Sequence, residues 1–243
     1  MGLDDEAVRD RETLASRADE IYDTRPNLVA RLQAADFPVV IKWFGWRHPI
    51  HQGLSPTFAS RAYMSWAVAH ALQDLGARTP EPLYVFTRRR RGVIHENFFI
   101  TRAVHPHTRL RTLLVSGAHE EFMANAVTDL AKSVVRIHRG GIFHRDLTAG
   151  NFLVAETGLT FIVDLNRARR YKKLSTHQIL TDLAKVNFKA GDRELEEQLT
   201  RQFFQVYQQE TGMSRSLLDG YRDYRRSFLR QRRLGKKLRK LVR

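Results

Sequence analysis

Residues 141–154, GIFHRDLTAGNFLV, place four polar residues, His144, Arg145, Asp146 and Asn151, inside an otherwise apolar stretch. The preceding segment has apolar residues at helical spacing and predicts a long amphipathic helix over 119–139. The following segment, LTFIVDLNRARR, begins like a buried strand and ends in charged residues. A core strand does not need the four polar side chains, so the stretch predicts a functional loop between a helix and a hairpin.

Three of the polar residues in this region are expected at loop or strand ends. Asp146 follows the helix, Asn151 leads into strand 152–155, and Asp164 closes strand 160–163. These strands should pair antiparallel, which would bring Asn151 and Asp164 to the same end, where their hard oxygen ligands could share Mg²⁺. Asp146 could accept a proton from an attacking hydroxyl. The alternative interpretation, in which all three are ordinary polar residues that cap turns, stays open here.

Upstream, the segment VVIK places Lys42 in a strand otherwise made of Val and Ile. A single lysine within a buried strand needs an anion, and a nucleotide phosphate would serve. The alternative is a lysine on an edge strand, with its aliphatic part on the sheet and its ammonium group in water.

The rest of the pattern predicts an α+β chain of two lobes. Strands are expected at 27–33, 38–46, 82–87 and 93–104, and helices within 55–76, near 109–115, over 119–139 and from 175 to the end. A small β-rich N-lobe with one helix would then join a larger, mainly helical C-lobe near 101–104. The predicted boundaries are 1–103 for the N-lobe, 104–220 for the C-lobe and 221–243 for a basic amphipathic tail.

Charge predicts an anionic partner. The 243 residues carry a formal net charge of +15, and residues 221–243 hold eleven Lys or Arg and one Asp. Nucleic acid, an acidic membrane surface and a phosphorylated substrate are the candidate classes. The run RRRR at 88–91 is predicted to be a solvated hairpin turn, with Gly92 helping the chain to reverse.

Composition excludes several classes of protein. There is no cysteine, which excludes disulfides and thiolate metal sites and fits a cytosolic protein. No apolar run approaches the roughly 20 residues that cross a bilayer, and the N-terminus lacks the apolar region of a signal peptide.

Taken together and in order, VVIK, HRDLTAGN and the VD that ends a strand resemble the signature set of the protein-kinase-like superfamily. Within it, the chain resembles the bacterial lipopolysaccharide core kinases, which act on 3-deoxy-manno-octulosonic acid (Kdo) or heptose. The similar segments are RAYMSWAVAHALQDLGARTPEPL, HRGGIFHRDLTAGNFLV, VDLNRAR and TDLAKV, spread over roughly residues 37–187. The resemblance implies a bilobal kinase fold, ATP, Mg²⁺ and phosphorylation of a sugar hydroxyl on lipid A–core, peripherally at the cytoplasmic face of the bacterial inner membrane.

The same resemblance implies a role for each matched residue. Lys42 would hold the α- and β-phosphates of ATP, and Asp146 would orient and deprotonate the acceptor hydroxyl. Asn151 and Asp164 would bind Mg²⁺. His144 and Arg145 would brace the catalytic loop rather than react.

The chain also departs from the kinase pattern. The helix position that normally supplies a glutamate to the lysine is Ser65, so Lys42 must be held by Asp164, by another residue or by the nucleotide. The segment DEIYDTRPNLVAR, where a glycine-rich phosphate loop is expected, has no glycine. Asp164 is followed by Leu165 and Asn166 rather than Phe and Gly, and no APE motif follows, which argues against a protein substrate.

Two other functions remain open. One is an atypical serine/threonine protein kinase. The other is a weakly active kinase or pseudokinase scaffold that binds an anionic partner such as RNA. The intact set of Asp146, Asn151 and Asp164 opposes a pseudokinase, and the absence of an RNA-binding module with interleaved aromatics makes nucleic acid a weak candidate.

The tail favours a membrane partner. Six apolar residues fall near one helical face and basic residues fill the rest, which is typical of an interfacial helix: Tyr221, Tyr224, Phe228, Leu234, Leu238 and Leu241. The alternative is a solvated, frayed helix.

Overall fold

A computed structural model describes residues 10–46, 49–117, 119–213, 221 and 224–230. The chain divides into two compact units. The first comprises Met1–Asp74, Arg78–His107 and Ile162–Arg169, and the second comprises Leu75–Ala77, Thr108–Phe161 and Arg170–Arg243. The chain passes from the first unit to the second after His107, whereas the predicted boundary lies after residue 103. The first unit differs from the prediction because it also takes in eight residues that lie much later in the chain.

The first unit is built on a five-stranded antiparallel sheet in the order β1-β2-β3-β5-β4. The strands are β1 Glu20–Asp23, β2 Leu28–Gln33, β3 Pro38–Trp43, β4 Pro82–Arg90 and β5 Val93–Arg102. Strands β2 to β5 confirm the sequence prediction. Strand β1 was missed, because its exposed and polar residues show no apolar alternation.

One face of this sheet is the core of the first unit. Alternate residues of β2 and β3 are buried and pack with Leu14 of α1 Arg11–Arg17. Lys42 belongs to the other set of alternate residues in β3, which are not fully buried. In the sheet it pairs with Val29 of β2 and with Phe99 of β5. Because β3 is hydrogen-bonded on both sides, the interpretation of Lys42 as an edge-strand lysine is wrong.

The hairpin between β4 and β5 turns at Arg91 and Gly92. Their φ angles are +50° and +81°. Two successive positive φ angles define the type I′ turn, whose twist matches that of the flanking strands. A hairpin turn is therefore confirmed, but it occupies Arg91 and Gly92, whereas residues 88–90 of the predicted turn belong to strand β4.

The first unit contains two further helices, of which the longer confirms the helix expected within 55–76 and the shorter, which lies before residue 55, was not predicted. They are the short α2 Pro49–Gly53 and the longer α3 Arg61–Asp74, separated by a 3₁₀ turn at Ser55–Thr57. Another 3₁₀ turn of this unit, Leu165–Arg167, packs against α3. Gly76 follows α3 with φ +65°, as expected of a residue just past a helix end.

The second unit is mainly helical. Its helices are α4 Leu110–Ser116, α5 Glu120–Arg139, α6 Thr176–Leu183 and α7 Arg193–Thr211. The predicted helices near 109–115 and over 119–139 are confirmed. The prediction of continuous helix from residue 175 is wrong, because residues 184–192 are not helical and Asp192 starts a new helix by accepting bonds from the backbone N–H groups of Glu194 and Leu195.

Helices α5 and α7 pack together through a row of buried side chains on each. Those of α5 include Met123, Val127, Leu130, Val134 and Ile137, and those of α7 are Leu199, Phe203 and Tyr207. Gly141, with φ +74°, follows α5. A Cβ atom there would lie 2.0 Å from the backbone oxygen of Tyr171, so only glycine fits this turn.

Short strands, most of whose residues belong to the second unit, flank the loop of interest. Strands β6 His107–Arg109, β8 Phe152–Ala155 and β9 Thr160–Ile162 form a three-stranded sheet in the order β6-β8-β9. The two-residue strands β7 Ile142–Phe143 and β10 Arg169–Arg170 form another. The predicted hairpin of β8 and β9 is confirmed as a pair of neighbouring strands.

The beginning of the tail packs on the second unit. Tyr221 is buried, its ring centroid lies 4.4 Å from that of Phe204, and its hydroxyl donates to the backbone oxygen of Leu183 at 3.1 Å. Burial raises the pKa of Tyr221 to about 12. The Tyr224 hydroxyl lies 2.7 Å from that of Thr181.

These contacts correct the predicted interfacial helix, because Tyr221 and Tyr224 are used within the protein. Phe228, also on that predicted face, has its ring centroid 6.3 Å from that of Tyr224. The other three residues of the face, Leu234, Leu238 and Leu241, lie outside the described residues. In the part of the chain that the structure describes, no helix combines the length and apolar character needed to span a bilayer.

Candidate active site

The loop after β7 is held by buried polar contacts. His144 is fully buried, and its Nδ1 atom accepts a hydrogen bond from the backbone N–H of Asp146 at 3.2 Å. Arg145, between them, has φ +69°. This left-handed backbone is costly for a residue other than glycine, so the surrounding contacts must impose it.

The contact that imposes it comes from Asp182 on α6. This carboxylate is fully buried and accepts hydrogen bonds from the backbone N–H groups of His144 and Arg145, both at 2.7 Å. Bonds to a charged acceptor are about twice as strong as neutral ones. Asp182 therefore fixes the backbone immediately before Asp146.

In the sequence, Asp182 belongs to the similar segment TDLAKV, but no role was predicted for it. The sequence did carry a signal for such a role. Asp182 directly precedes the apolar Leu183 and Ala184, and a carboxylate buried beside apolar residues needs a polar partner.

The buried surroundings of Asp182 are themselves polar. His138 Nε2 lies 3.6 Å from Asp182 Oδ2, and His138 Nδ1 lies 2.7 Å from the hydroxyl of Tyr207. Burial raises the pKa of Tyr207 far above its ordinary value, and the negative charge of Asp182 raises it further. Tyr207 thus keeps its proton throughout the physiological range.

Replacing Asp182 is expected to damage both stability and turnover. Asp182→Ala leaves two buried N–H groups without their acceptor, and we expect a loss of about 3 kcal/mol in the free energy of unfolding. Asp182→Asn retains one acceptor oxygen, so its free energy of unfolding should fall by less. Denaturant unfolding and phosphoryl-transfer assays on both variants measure the two effects. Asp192→Ala, which removes an exposed helix cap on α7, is the matched control for stability, and equal stability losses in Asp182→Ala and the control would contradict the role given to Asp182.

Asn151 is tied to the same loop. It ends the 3₁₀ turn Ala149–Asn151, and its Nδ2 atom donates to the backbone oxygen of Asp146 at 2.8 Å. Because the amide nitrogen is used in this bond, Oδ1 is the atom left to accept or to coordinate. The structure thus brings His144, Arg145, Asp146 and Asn151 together on one loop of the second unit.

In the first unit, Lys42 forms an ion pair with Asp164. Asn166 Nδ2 donates to the same carboxylate oxygen, Asp164 Oδ1, at 2.6 Å. The side chains of Lys42 and Asp164 are 18% and 31% exposed, so the pair is largely shielded from water. Of the partners considered for Lys42 from the sequence, Asp164 is the one that the structure shows.

Asp164 itself has φ +65° and ψ +49°. Within the described ranges, the residues other than glycine with positive φ are Arg91, Arg145 and Asp164. Two of these belong to the segments predicted to be functional. Strained backbone of this kind persists only where its surroundings over-determine it, and it concentrates at active sites.

Helix α3 offers Lys42 no acidic partner before Asp74, at its last position. Ser65, at the position where kinases carry a glutamate, is 2% exposed, and its hydroxyl donates to the backbone oxygen of Arg61 at 2.8 Å. The sequence alone predicted that a glutamate here would tighten ATP binding or leave it unchanged.

With Lys42 already paired and Ser65 buried, Ser65→Glu is now expected to destabilise the fold and to give no gain in ATP affinity. A carboxylate placed at a buried position without a partner costs several kcal/mol or becomes protonated. Thermal unfolding and nucleotide titration of this variant check the expectation, with Ser65→Ala as the control for loss of the hydroxyl. Tighter ATP binding with unchanged stability would overturn it.

These residues fit Mg²⁺ and a nucleotide chemically. Mg²⁺ in nucleotide-dependent enzymes is held by one or two protein oxygens and completed by phosphates and water. Asn151 Oδ1 and the carboxylate of Asp164 are donors of this kind. Among the described residues, no three His, Cys, Asp or Glu side chains converge as a metal cage.

The sequence profile of the lipopolysaccharide kinase (Kdo/WaaP) family matches residues 46–207, two thirds of the chain. The matched range includes the loop of His144 to Asn151, Asp164 and Asp182, whereas Lys42 lies just before it. No curated protein matches the chain.

Proposed function

Because the chain belongs to the lipopolysaccharide kinase (Kdo/WaaP) family, we propose that it is an ATP-dependent kinase that phosphorylates a sugar hydroxyl, of Kdo or of heptose, in the lipopolysaccharide inner core. Its acceptor would be lipid-linked, as lipid A–core is. The observation that carries the proposal is the loop from His144 to Asn151, which Asp182 holds within the range matched by the family.

Each residue has one proposed role. Lys42 neutralises charge on the α- and β-phosphates, and Asn151 and Asp164 supply oxygen ligands for Mg²⁺. Asp146 accepts a hydrogen bond from the acceptor hydroxyl and takes its proton. His144 and Arg145 keep the loop backbone in position, and Asp182 is the positioning residue behind them.

The proposed catalysis is mainly a matter of position and charge. A bound Mg²⁺ would neutralise the negative charge of the phosphates. Phosphoryl transfer needs little covalent chemistry from a protein, so correct placement of the hydroxyl and the phosphate accounts for most of the rate. The double anchoring of the loop through Asp182 and Asn151 supports such placement, because it leaves the backbone around Asp146 little freedom.

The competing functions are less well supported. A protein kinase needs a segment that docks a peptide, but only ten residues separate Asp164 from Ser175, the N-cap of α6. A lysine without an acidic partner would favour a pseudokinase, but Lys42 forms an ion pair with Asp164.

One assay tests the proposal. Purified protein with ATP and Mg²⁺ is offered a Kdo–lipid A acceptor, a heptose-containing acceptor, a generic protein and single-stranded RNA in parallel. We expect phosphate transfer to one of the sugar acceptors. Transfer to protein alone would favour the protein-kinase alternative, and RNA binding without any transfer would favour the scaffold.

We further propose that the protein acts peripherally at the inner face of the inner membrane, with the basic tail as one contact. Deleting residues 231–243 removes seven of the eleven basic residues of 221–243 and spares the packed Tyr221 and Tyr224. We expect weaker sedimentation with anionic vesicles, a steep fall of full-length binding with salt, and unchanged turnover of a soluble sugar acceptor. Equal sedimentation of the two forms would exclude the tail as an anchor.

A further inference from the structure

A second surface of the first unit combines apolar and basic side chains. Residues 49–58 lie against the end of the β4–β5 hairpin and are bonded to it. Arg89 donates to the backbone oxygens of Ser55 at 3.1 Å and of Phe58 at 2.6 Å. The Ser55 hydroxyl, in turn, accepts a bond from the backbone N–H of Ile94 at 2.8 Å. Residues 49–58 and 88–95 thus form one joined surface, here called the hairpin surface.

Three large apolar side chains of the hairpin surface are in water. Ile50, Leu54 and Phe58 are 70%, 55% and 59% exposed. A single exposed apolar residue is ordinary, but three within one ten-residue segment give this surface an apolar character, and concentrated apolar surface is typical of an interaction site.

The hairpin surface is also free of acidic residues. The sequence has no Asp or Glu from residue 37 to residue 73, and none from 82 to 95. Within the hairpin, Arg88 forms an ion pair with Glu96, and Arg89 is used in the bonds to residues 55 and 58. Arg89 keeps its positive charge, because backbone oxygens do not neutralise it, and the exposed Arg90 and Arg91 add two further charges to this surface.

Those two arginines line an open pocket of about 480 Å³. Its lining residues are Pro49, Gln52, Gly53, Arg90, Arg91, Val93 and His95. Two guanidinium groups at one pocket match the oxygens of a phosphate, which arginine binds in a fork geometry.

We propose that the hairpin surface docks on an anionic phospholipid bilayer, with Arg90 and Arg91 on headgroup phosphates and Ile50, Leu54 and Phe58 in the interfacial region. The inference rests on the proposed function only in that a lipid-linked acceptor makes a membrane contact useful. Charge complementarity selects an anionic partner. The aliphatic Ile50 and Leu54 select lipid over RNA, because RNA-binding surfaces present aromatic side chains on which bases stack.

The matched variants are chosen to leave the fold intact. R90Q/R91N removes both charges, and an asparagine directly before Gly92 gives the Asn-Gly pair that a type I′ turn favours. R193Q/R201Q, on α7, removes the same charge from exposed arginines that pair with Glu197. L54S/F58S removes apolar surface, and V115S, at a side chain that is 73% exposed in the second unit, is its control.

The measurement is co-sedimentation of the full chain with vesicles of phosphatidylglycerol and phosphatidylcholine, and with phosphatidylcholine alone. Each arginine near an anionic surface contributes about fivefold in affinity, so R90Q/R91N should bind anionic vesicles about 30-fold more weakly, with R193Q/R201Q much closer to wild type. L54S/F58S should also bind more weakly than V115S, and its defect should persist at high salt.

The outcomes separate this inference from the proposed function. Turnover of a soluble sugar acceptor should be unchanged in R90Q/R91N, and vesicle binding needs no kinase activity. The inference is overturned if the wild-type protein does not prefer anionic vesicles, or if R90Q/R91N binds them as tightly as wild type does. It is also overturned if R193Q/R201Q loses as much vesicle affinity as R90Q/R91N, or if R90Q/R91N loses binding to single-stranded RNA but not to vesicles. Absence of kinase activity with the predicted vesicle results would overturn the proposed function alone.

Discussion

Asp146→Asn is expected to lower the rate of phosphoryl transfer by about 10³-fold while leaving stability and ATP affinity near those of wild type. A positioned general base contributes about 10²- to 10⁴-fold, and the amide of asparagine cannot take the proton of the acceptor hydroxyl. Two contacts that hold residue 146 involve its backbone. Its N–H group donates a hydrogen bond to His144 Nδ1, and its carbonyl oxygen accepts one from Asn151 Nδ2. The substitution leaves that backbone unchanged.

Single-turnover transfer of labelled phosphate, thermal unfolding and ATP titration together check this result. Asp36→Asn, in the exposed turn before β3, is the control for loss of one carboxylate. Transfer by Asp146→Asn at the wild-type rate would contradict the role of Asp146 as the base, whereas loss of folding in this variant would show that its side chain is structural.

Asp164→Asn is expected to abolish Mg²⁺-dependent nucleotide binding and, with it, nearly all turnover. The substitution removes the charged oxygen ligand proposed for Mg²⁺ and also the charge that pairs with Lys42. The shape of the side chain is retained, so we expect the β-rich first unit to stay folded. Calorimetric titration with ATP, with and without Mg²⁺, is the measurement: Mg²⁺ should strengthen ATP binding to wild type and make no difference to the variant.

Asn166→Ala provides a graded control, because it removes only the 2.6 Å bond to Asp164 Oδ1. We expect it to retain Mg²⁺-dependent binding at reduced affinity. A double variant with Lys42→Met should lose little beyond Asp164→Asn alone, since two members of one ion pair are not independent. Mg²⁺-dependent binding in Asp164→Asn equal to wild type would rule out the metal role of Asp164.

Much of the fold could be predicted because its signals are local. The alternation in β2 and β3, the Arg91–Gly92 turn and the 3.6-residue period of α5 each need only a few neighbouring residues to be recognised. The break after α6 was missed although its local signals were present, namely Gly191, which has φ +83°, and Asp192, which caps α7. Strand β1 was missed because its pairing with β2, rather than its own pattern, makes it a strand.

In the candidate site, too, the residues with local sequence signals were predicted and the long-range contacts were not. Motif order identified Lys42, Asp146, Asn151 and Asp164 as candidates, and their catalytic roles remain predictions. The contacts that hold them join distant residues: Lys42 and Asp164 are 122 positions apart, and Asp182 is 38 positions from His144. No local pattern specifies such a pair. The packing of Tyr221 on Phe204 is likewise a tertiary contact that an amphipathic pattern cannot distinguish from a free apolar face.

The three-segment composition of the first unit limits how this chain can be divided. A proteolytic fragment that ended at His107 would contain Lys42 but would lack Asp164 and the buried Ile162 and Leu165. Likewise, a single recombination crossover with a relative that falls between residues 42 and 164 would take Lys42 from one parent and Asp164 from the other. The two units therefore cannot be exchanged as continuous cassettes, and a hybrid that takes the whole first unit from one parent would need five crossovers, after residues 74, 77, 107, 161 and 169.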